Sequence, residues 1–358
     1  MHTQLQLYGY TDTVNDSFLA HDRPDECVPA RVLTAYGNEF AIMTENGRRN
    51  AVCTGRMLYV NEEIPVTGDW VIAQHVDDET AVIHSILPRT SVLSRVAAGK
   101  TSSVQGIAAN VDTAFLVMGL DGNYSINRLQ RYIAICMEGG ITPVCVLNKS
   151  DLCDDPEAYR NEVHELTGIQ CLTLSAKTGE AVSRLREQMN PGRTYCLLGS
   201  SGAGKSTLLN ALSPELNRDT SEVRMADSKG RHTTTRRELF QLADGSIIID
   251  TPGMRELKIA VSEETLDAVF NRISDYAEEC RFDDCSHTSE PGCAVLRALE
   301  SDEISYNEYD NYIKLRKESD RLNAKGDVLS RLKQKRKERQ FGKIVRDAQK
   351  TKRKITGK

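Results

Sequence analysis

Eight residues, Gly199-Ser200-Ser201-Gly202-Ala203-Gly204-Lys205-Ser206, fit the spacing GxxxxGK[ST]. The apolar run Tyr195-Cys196-Leu197-Leu198 precedes them, and a helical pattern over Lys205–Leu212 follows. In a strand–loop–helix setting the glycines let backbone N–H groups converge on phosphate oxygens, and the helix N-terminus adds its dipole. Lys205 is expected to reach the β- and γ-phosphates, and the Ser206 hydroxyl to ligate Mg²⁺. The run Ile247-Ile248-Ile249-Asp250-Thr251-Pro252-Gly253 reads as a buried strand ending in DxxG. Asp250 is placed to hold Mg²⁺ through a water, and the Gly253 N–H to meet the γ-phosphate.

Two shorter signatures sit at other strand ends. Asn148-Lys149-Ser150-Asp151 follows the apolar run Ile141–Leu147 and has the form NKxD. A carboxylate at Asp151 can accept from N1–H and N2–H₂ of guanine; adenine lacks that donor pair, so the site selects GTP over ATP by leaving polar groups unpaired otherwise. Ser175-Ala176-Lys177 follows Cys171–Leu174 and supplies a loop whose backbone N–H meets guanine O6. Either alone is what a surface loop looks like. Both at strand ends beside a phosphate loop specify a guanine nucleotide.

The order of these signatures is abnormal. Ordinary G proteins run phosphate loop, DxxG, NKxD, SAK, whereas here NKxD begins 51 residues before the phosphate loop. This is a circular permutation, which a parallel sheet tolerates when the old termini lie close together. One consequence is that the nucleotide-sensing segment after Asp250–Gly253 leads into the C-terminal region, so hydrolysis is expected to move that region.

Between the phosphate loop and DxxG lies Lys229-Gly230-Arg231-His232-Thr233-Thr234-Thr235-Arg236-Arg237. One threonine there should complete the Mg²⁺ shell; Thr235 is favoured, with Thr234 close behind. Met254 stands where a Ras-like protein has a water-positioning glutamine, and an apolar side chain cannot orient water. Intrinsic hydrolysis is therefore expected to be slow. The catalytic candidates are Lys205, Thr235 and His232, with two alternatives for His232: a structural histidine of the switch, or a partner that orders the switch in its place.

The chain has ten cysteines. Cys27, Cys53, Cys136, Cys145, Cys153, Cys171 and Cys196 are scattered and read as buried free thiols. Cys280, Cys285 and Cys293 cluster with His287 as C-x4-C-x-H-x5-C. Three thiolates and an imidazole are a tetrahedral Zn²⁺ set with no open position, which points to a structural ion.

The elements that must position these residues form three groups. From about Cys27 to Arg95 short alternating runs, with Asn46-Gly47 as a hairpin signal, read as five strands of a small barrel of the oligonucleotide-binding (OB) type; SH3-like barrels share this pattern. Residues 1–25 show little periodicity, and residues 96–110, rich in Ala, Gly and Ser, read as a linker. Apolar strands at Thr113–Met118, Ile141–Leu147, Cys171–Leu174, Tyr195–Leu198 and Ile247–Ile249 then alternate with helical patterns near Asn127–Glu138, Pro156–Thr167, Val182–Met189 and Lys205–Leu212. That alternation implies a parallel sheet covered on both faces. After about Ser262 the chain is helical and highly charged, with Tyr306, Tyr309, Tyr312 and Leu315 read as a core stripe.

Composition bounds the class. The chain has 358 residues, 39% hydrophobic and 27% charged, with no apolar run long enough to span a bilayer and no secretory pattern at its start. Its net charge of −5 is an average: residues 331–358 carry 13 Lys/Arg against 2 Asp/Glu, a net of +11 on a body of −16. The fold class expected is multidomain: an N-terminal all-β OB-type barrel (1–98), a central α/β circularly permuted P-loop GTPase (99–261), a C-terminal helical zinc-binding domain (262–328) and a basic tail (329–358).

Permuted NKSD, SAK, GSSGAGKST, GRHTTT and DTPG, with the Cys280, Cys285, His287, Cys293 knuckle, together resemble the RsgA (YjeQ) family of ribosome small-subunit-dependent GTPases. The resemblance runs from about residue 27 to about residue 325. It implies a cytoplasmic GTPase using GTP/GDP and Mg²⁺, with one structural Zn²⁺, acting on the small ribosomal subunit and its rRNA late in maturation; with no heptad run to suggest a coiled coil, a monomer is expected. By motif it carries guanine contacts to Asn148, Lys149 and Asp151, phosphate contacts to Gly202–Thr207, and zinc ligation to the knuckle. The residues alone leave two alternatives: a zinc and barrel RNA-binding module that holds GDP without turnover, and an ATP-driven RNA remodelling enzyme, against which Asp151 argues.

Overall fold

The structure, a computed structural model, describes residues 3–59, 63–96, 104–213, 237–251 and 260–324. Five strands form the N-terminal barrel: β1 (Cys27–Tyr36), β2 (Glu39–Thr44), β3 (Gly47–Cys53), β4 (Trp70–His75) and β5 (Thr80–Ile86). They pair in the order β1-β2-β3-β5-β4, and β4 closes back onto β1 through Cys27↔Gln74 to Arg31↔Trp70. The β3–β5 pair is parallel, with the short helix α3 (Gly55–Tyr59) before β4. That order, with one parallel pair, is the OB arrangement, which decides between the two barrels the strand pattern allowed. Inward residues Ala30, Val32, Phe40, Ile42, Ala51, Val71, Ala73, Ala81 and Ile83 fill the barrel. Gly47, at φ 105°, opens β3 after a tight turn where the Asn46-Gly47 signal placed one.

The central sheet holds β8 (Thr113–Gly119), β9 (Thr142–Asn148), β10 (Cys171–Thr173), β11 (Thr194–Leu198), β12 (Glu238–Gln241) and β13 (Ile247–Asp250), in the order β10-β9-β8-β11-β13-β12. All pairs are parallel except β12–β13. Helices α4 (Ile126–Glu138), α5 (Pro156–Thr167), α6 (Val182–Arg186) and α7 (Lys205–Leu212) connect them. Because the strands are covered on both faces they read as unbroken apolar runs; β8, β9 and β11 are almost wholly buried. Barrel and sheet are continuous, since β1 pairs with β12 at Thr34↔Glu238.

Three expectations need correction. The polar start contains helices α1 (Thr3–Gln6) and α2 (Asp12–Ala20); Thr11 caps α2 by accepting from Val14 N at 3.4 Å, a local signal stronger than the weak periodicity. The stretch read as a linker is in part a strand: β7 (Val104–Ala109) pairs with β6 (Val92–Val96). Its small residues are there for close packing, with Ala108 and Ala109 buried and a Cβ on Gly106 only 3.3 Å from Val66 Cγ1. The boundary expected at 98/99 lies outside the described residues, as do the tail and the 328/329 boundary.

Beyond the sheet, helices Glu263–Val269, Asn271–Ala277 and Ala294–Glu300 and a helix over 306–324 pack together. The third correction concerns the expected tyrosine stripe: Tyr312 and Leu315 are buried, but Tyr306 is 72% exposed. Steps of three drift by about 60° each against the helical period, so three steps turn halfway round the helix. The buried face instead runs Glu308, Asn311, Tyr312, Leu315, Ser319. This helix lies on α4: Arg131 Nη1 donates to both Glu318 carboxylate oxygens at 2.8 and 2.9 Å, Asn311 Nδ2 donates to Gln130 Oε1 at 2.6 Å, and Asn127 Nδ2 donates to Asn307 Oδ1 at 3.0 Å.

Candidate functional site

The signatures converge because their strands are neighbours in register. The 148–151 loop leaves β9, the 199–206 loop leaves β11 and Asp250 ends β13; β8 lies between β9 and β11, and β11 pairs with β13. All of these loops emerge at the carboxyl edge of the parallel sheet, where such folds place ligands.

Asn148 is the hub. Its side chain is buried, Nδ2 donates to the Ala203 carbonyl at 2.9 Å, and Oδ1 accepts from Ala176 N at 2.9 Å. One amide thus ties the phosphate-loop sequence to the Ser175-Ala176-Lys177 loop. Lys149 adopts φ 67°, which swings the chain so that its ammonium pairs with Asp121. Ser175 Oγ donates to Asp151 Oδ1 at 2.6 Å and accepts from Thr178 N at 3.2 Å. The Asp151 carboxylate, on an exposed residue, is thereby oriented while its other oxygen stays open to solvent. Lys177 is exposed beside it.

The phosphate-loop sequence passes close to its neighbours at two glycines. A Cβ at Gly199 would lie 2.3 Å from the Val117 carbonyl, and one at Gly204, where φ is 93°, would lie 2.2 Å from Asn148 Nδ2. Only glycine fits either position. Ala203 is buried, Ser201 and Ser206 are exposed, and Thr207 is half-buried on the first turn of α7. Lys205 Nζ donates to the Gly199 and Ser200 carbonyls at 2.7 Å each, so the ammonium crosses its own loop. Burial pushes the Lys205 pKa below its ordinary value, and the nearby Asp250 carboxylate opposes that shift. Thr251, also buried, donates to the Leu197 carbonyl at 2.6 Å and fixes the end of β13 against β11. His232, Thr234, Thr235, Gly253 and Met254 lie outside the described residues.

The knuckle is assembled. Cys280, Cys285, His287 and Cys293 offer four ligand atoms all within 4.8 Å of one another. Zn–S bonds of about 2.3 Å and Zn–N of about 2.0 Å at tetrahedral angles require S···S near ~3.8 Å and S···N near ~3.6 Å. Cys280 Sγ and Cys293 Sγ are 3.8 Å apart, and each is 3.6 Å from His287 Nδ1. The donor set therefore fits Zn²⁺. Backbone N–H groups of Ala294 and Leu296 point at Cys280 Sγ and Cys293 Sγ at 3.3 and 3.5 Å, as thiolates need.

Two contributors carry no sequence signature. Glu290 folds the ligand loop by accepting from the backbone N–H groups of Ser286, Thr288 and Ser289, and from the Ser286 hydroxyl. Those donors hold its carboxyl well below the usual range, the Ser286 hydroxyl first among them. Tyr309 Oη donates to the His287 carbonyl at 2.8 Å, where His287 takes φ 57°. A carboxylate three residues from a metal ligand is a common sight in sequence, and nothing in spacing separates this one.

A family model described as RsgA GTPase matches residues 86–260. A relative from Leptospira interrogans, named small ribosomal subunit biogenesis GTPase RsgA, is 40% identical over 321 residues, covering 88% of this chain and 89% of its own. A Bacteroides thetaiotaomicron relative, RsgA 1, is 38% identical and covers 98% of each. Among solved structures, YjeQ from Thermotoga maritima superposes with a TM-score of 0.62 at 28% identity, over 82% of this chain and 98% of its own. YloQ, described as a circularly permuted GTPase, gives 0.58 at 27% identity, over 84% and 97%. No described helix is long and apolar enough to cross a membrane. Relatedness over most of the chain and the permuted strand order lead to one conclusion: the chain belongs to the RsgA family and is a circularly permuted GTPase.

Proposed function

We propose that this GTPase binds GTP at the Asn148-linked loops and hydrolyses it while bound to the small ribosomal subunit, late in that particle's maturation. The observation that carries the reading is the Asn148 side chain, which holds the 148–151, 175–177 and 199–206 loops in one cluster. In this reading Asp151, aimed by Ser175, accepts from the guanine edge, and the Ala176 N–H meets O6. Lys149 lies along the base. The N–H groups of Gly202–Thr207 take the phosphates. Lys205 leaves the Gly199 and Ser200 carbonyls for the β- and γ-phosphates, and Gly199 and Ser201 shape the loop.

The donor set suits Mg²⁺: Ser206 on the first turn of α7 and Asp250 at the end of the adjacent strand are hard oxygen donors on neighbouring elements. Thr235, or Thr234, completes that set from the switch, and Gly253 contacts the γ-phosphate. When bound, the ion neutralises charge that builds on the phosphate oxygens. His232 orients the attacking water, standing in for the glutamine that Met254 replaces. The fit of the knuckle supports a structural Zn²⁺ on Cys280, Cys285, His287 and Cys293.

The relatives' printed names support the small subunit as the partner. Contact with its rRNA fits the OB-type barrel and the +11 of residues 331–358, and the setting is then the cytoplasm, with the chain acting as a monomer. The test is phosphate release with and without small subunits. The reading expects strong stimulation by the particle, and equal rates with and without it would end the reading.

A further inference from the structure

The loop between β8 and α4 matches no nucleotide signature, yet it grips the phosphate-loop sequence. Asn123 Oδ1 accepts from Ser200 Oγ at 2.8 Å, and Asn123 Nδ2 donates to the Ser201 carbonyl at 3.1 Å. The same Oδ1 accepts from Arg128 Nη1 at 2.9 Å, and that nitrogen also donates to the Asn123 carbonyl at 3.3 Å. Arg128 stands on the first turn of α4, which Ser125 caps by accepting from Arg128 N at 3.4 Å. From Leu129 onward α4 is buried on nearly every side, through Leu129, Tyr132, Ile133, Ile135 and Cys136, so the arginine projects from a fixed element.

Ser200 and Ser201 need such a tie. Gly199 at φ 154° and Gly202 at φ 84° flank them, and glycine contributes no steric preference of its own to hold a loop in shape. Lys205, which spans the loop here through the Gly199 and Ser200 carbonyls, is the side chain that must turn to the phosphates. The Ser200–Ser201 backbone would then keep one long bond within the loop, from Ala203 N to the Ser200 carbonyl at 3.4 Å, and the two contacts that Asn123 supplies from outside it.

We propose that Asn123 is a positioning residue for the phosphate loop: its Oδ1, aimed by Arg128, holds Ser200 and so sets the Ser200–Ser201 backbone for phosphate binding. This rests on the reading that residues 199–206 take the phosphates of the nucleotide. At the weak end expected of partly exposed hydrogen bonds, each of the two contacts is a factor of about three in affinity, so losing both changes affinity about tenfold.

The experiment uses the full chain, a fluorescent GDP, and the rate of its dissociation, beside the thermal midpoint without nucleotide. Asn123→Ala should speed dissociation about tenfold while leaving the nucleotide-free midpoint close to that of the parent. Ser200→Ala, removing only the hydroxyl donor, should speed release by about threefold. Dissociation from Asn123→Ala at the parent rate overturns the proposal. If Asn123→Ala does not fold, the Ser200→Ala rate decides in the same way, and the parent rate there overturns it. Lys205→Ala separates the two levels. A parent chain that binds no GDP sinks the phosphate-loop reading, whereas a parent that binds, Lys205→Ala that does not, and Asn123→Ala that matches the parent sink this proposal alone.

Discussion

At the residue scale, Asn148 and Asp151 divide the work. Asn148 is spent on structure, with both ends of its amide engaged inside the protein, while Asp151 shows an open oxygen to solvent. Base selectivity should therefore rest on Asp151. Asp151→Ala is expected to lower GDP affinity by about a hundredfold or more while leaving ADP binding weak, because the guanine donors lose their acceptor. Competition between GDP and ADP reads this directly, and unchanged GDP preference would move the discriminating contact elsewhere. These roles were legible in the sequence because NKxD, SAK and GxxxxGKS place chemistry at fixed offsets from strand ends. Asn123 was not, because it acts on Ser200 and Ser201, which only the fold brings near; Glu290 was not, because its partners are local but nothing in spacing marks one loop carboxylate from another. Tyr306 was misread for a different reason: a repeat of three mimics a helix face for one turn and then leaves it.

At the element scale, two joints hold the molecule together. Arg31 on β1 is buried, donating to the Tyr8 and Asn110 carbonyls at 3.2 Å each and to Thr194 Oγ1 at 3.1 Å, with its guanidinium over Trp70. It connects N-terminal segment, barrel and GTPase sheet, and burial lowers its pKa to about 10. Arg31→Met should cost roughly 2–4 kcal/mol, since it removes the donor from three acceptors, one buried and two part-buried, and a thermal or denaturant midpoint within error of the parent would refute that role. The second joint is the knuckle. Chelation should release one Zn²⁺ per chain and lower the midpoint of the C-terminal helices, with GDP binding largely kept, because the ligands lie away from the Asn148 cluster in sequence and element. Release of no zinc on unfolding in chelator would show that the four donors hold something else or nothing. The barrel strands and the knuckle were readable from alternation and ligand spacing. The hairpin β6–β7 was not, because Gly, Ala and Ser serve close packing here and look like a linker in one dimension.

At the scale of the whole molecule, the permutation places the C-terminal helices directly after β13 and seats them on α4 through Arg131–Glu318, Gln130–Asn311 and the Glu138 carboxylate, which accepts from Ser262 N and Thr265 Oγ1. A nucleotide-driven displacement of that region has to break or carry those contacts. The charge split belongs to this scale too. Deleting residues 331–358, with their net +11, should flatten the salt dependence of small-subunit binding and leave GDP affinity intact, because phosphate contacts act by counterion release. An unchanged salt slope would make the tail irrelevant to docking. In the proposed function the Asn148 cluster turns over GTP in response to the particle. Phosphate release by the full chain, with and without small ribosomal subunits, tests it most directly, with Lys205→Ala as the control. Turnover should be slow alone, rise by at least about tenfold with the subunit, and be lost in both conditions in Lys205→Ala. Turnover no faster with subunits than without, or retained in Lys205→Ala, would contradict it.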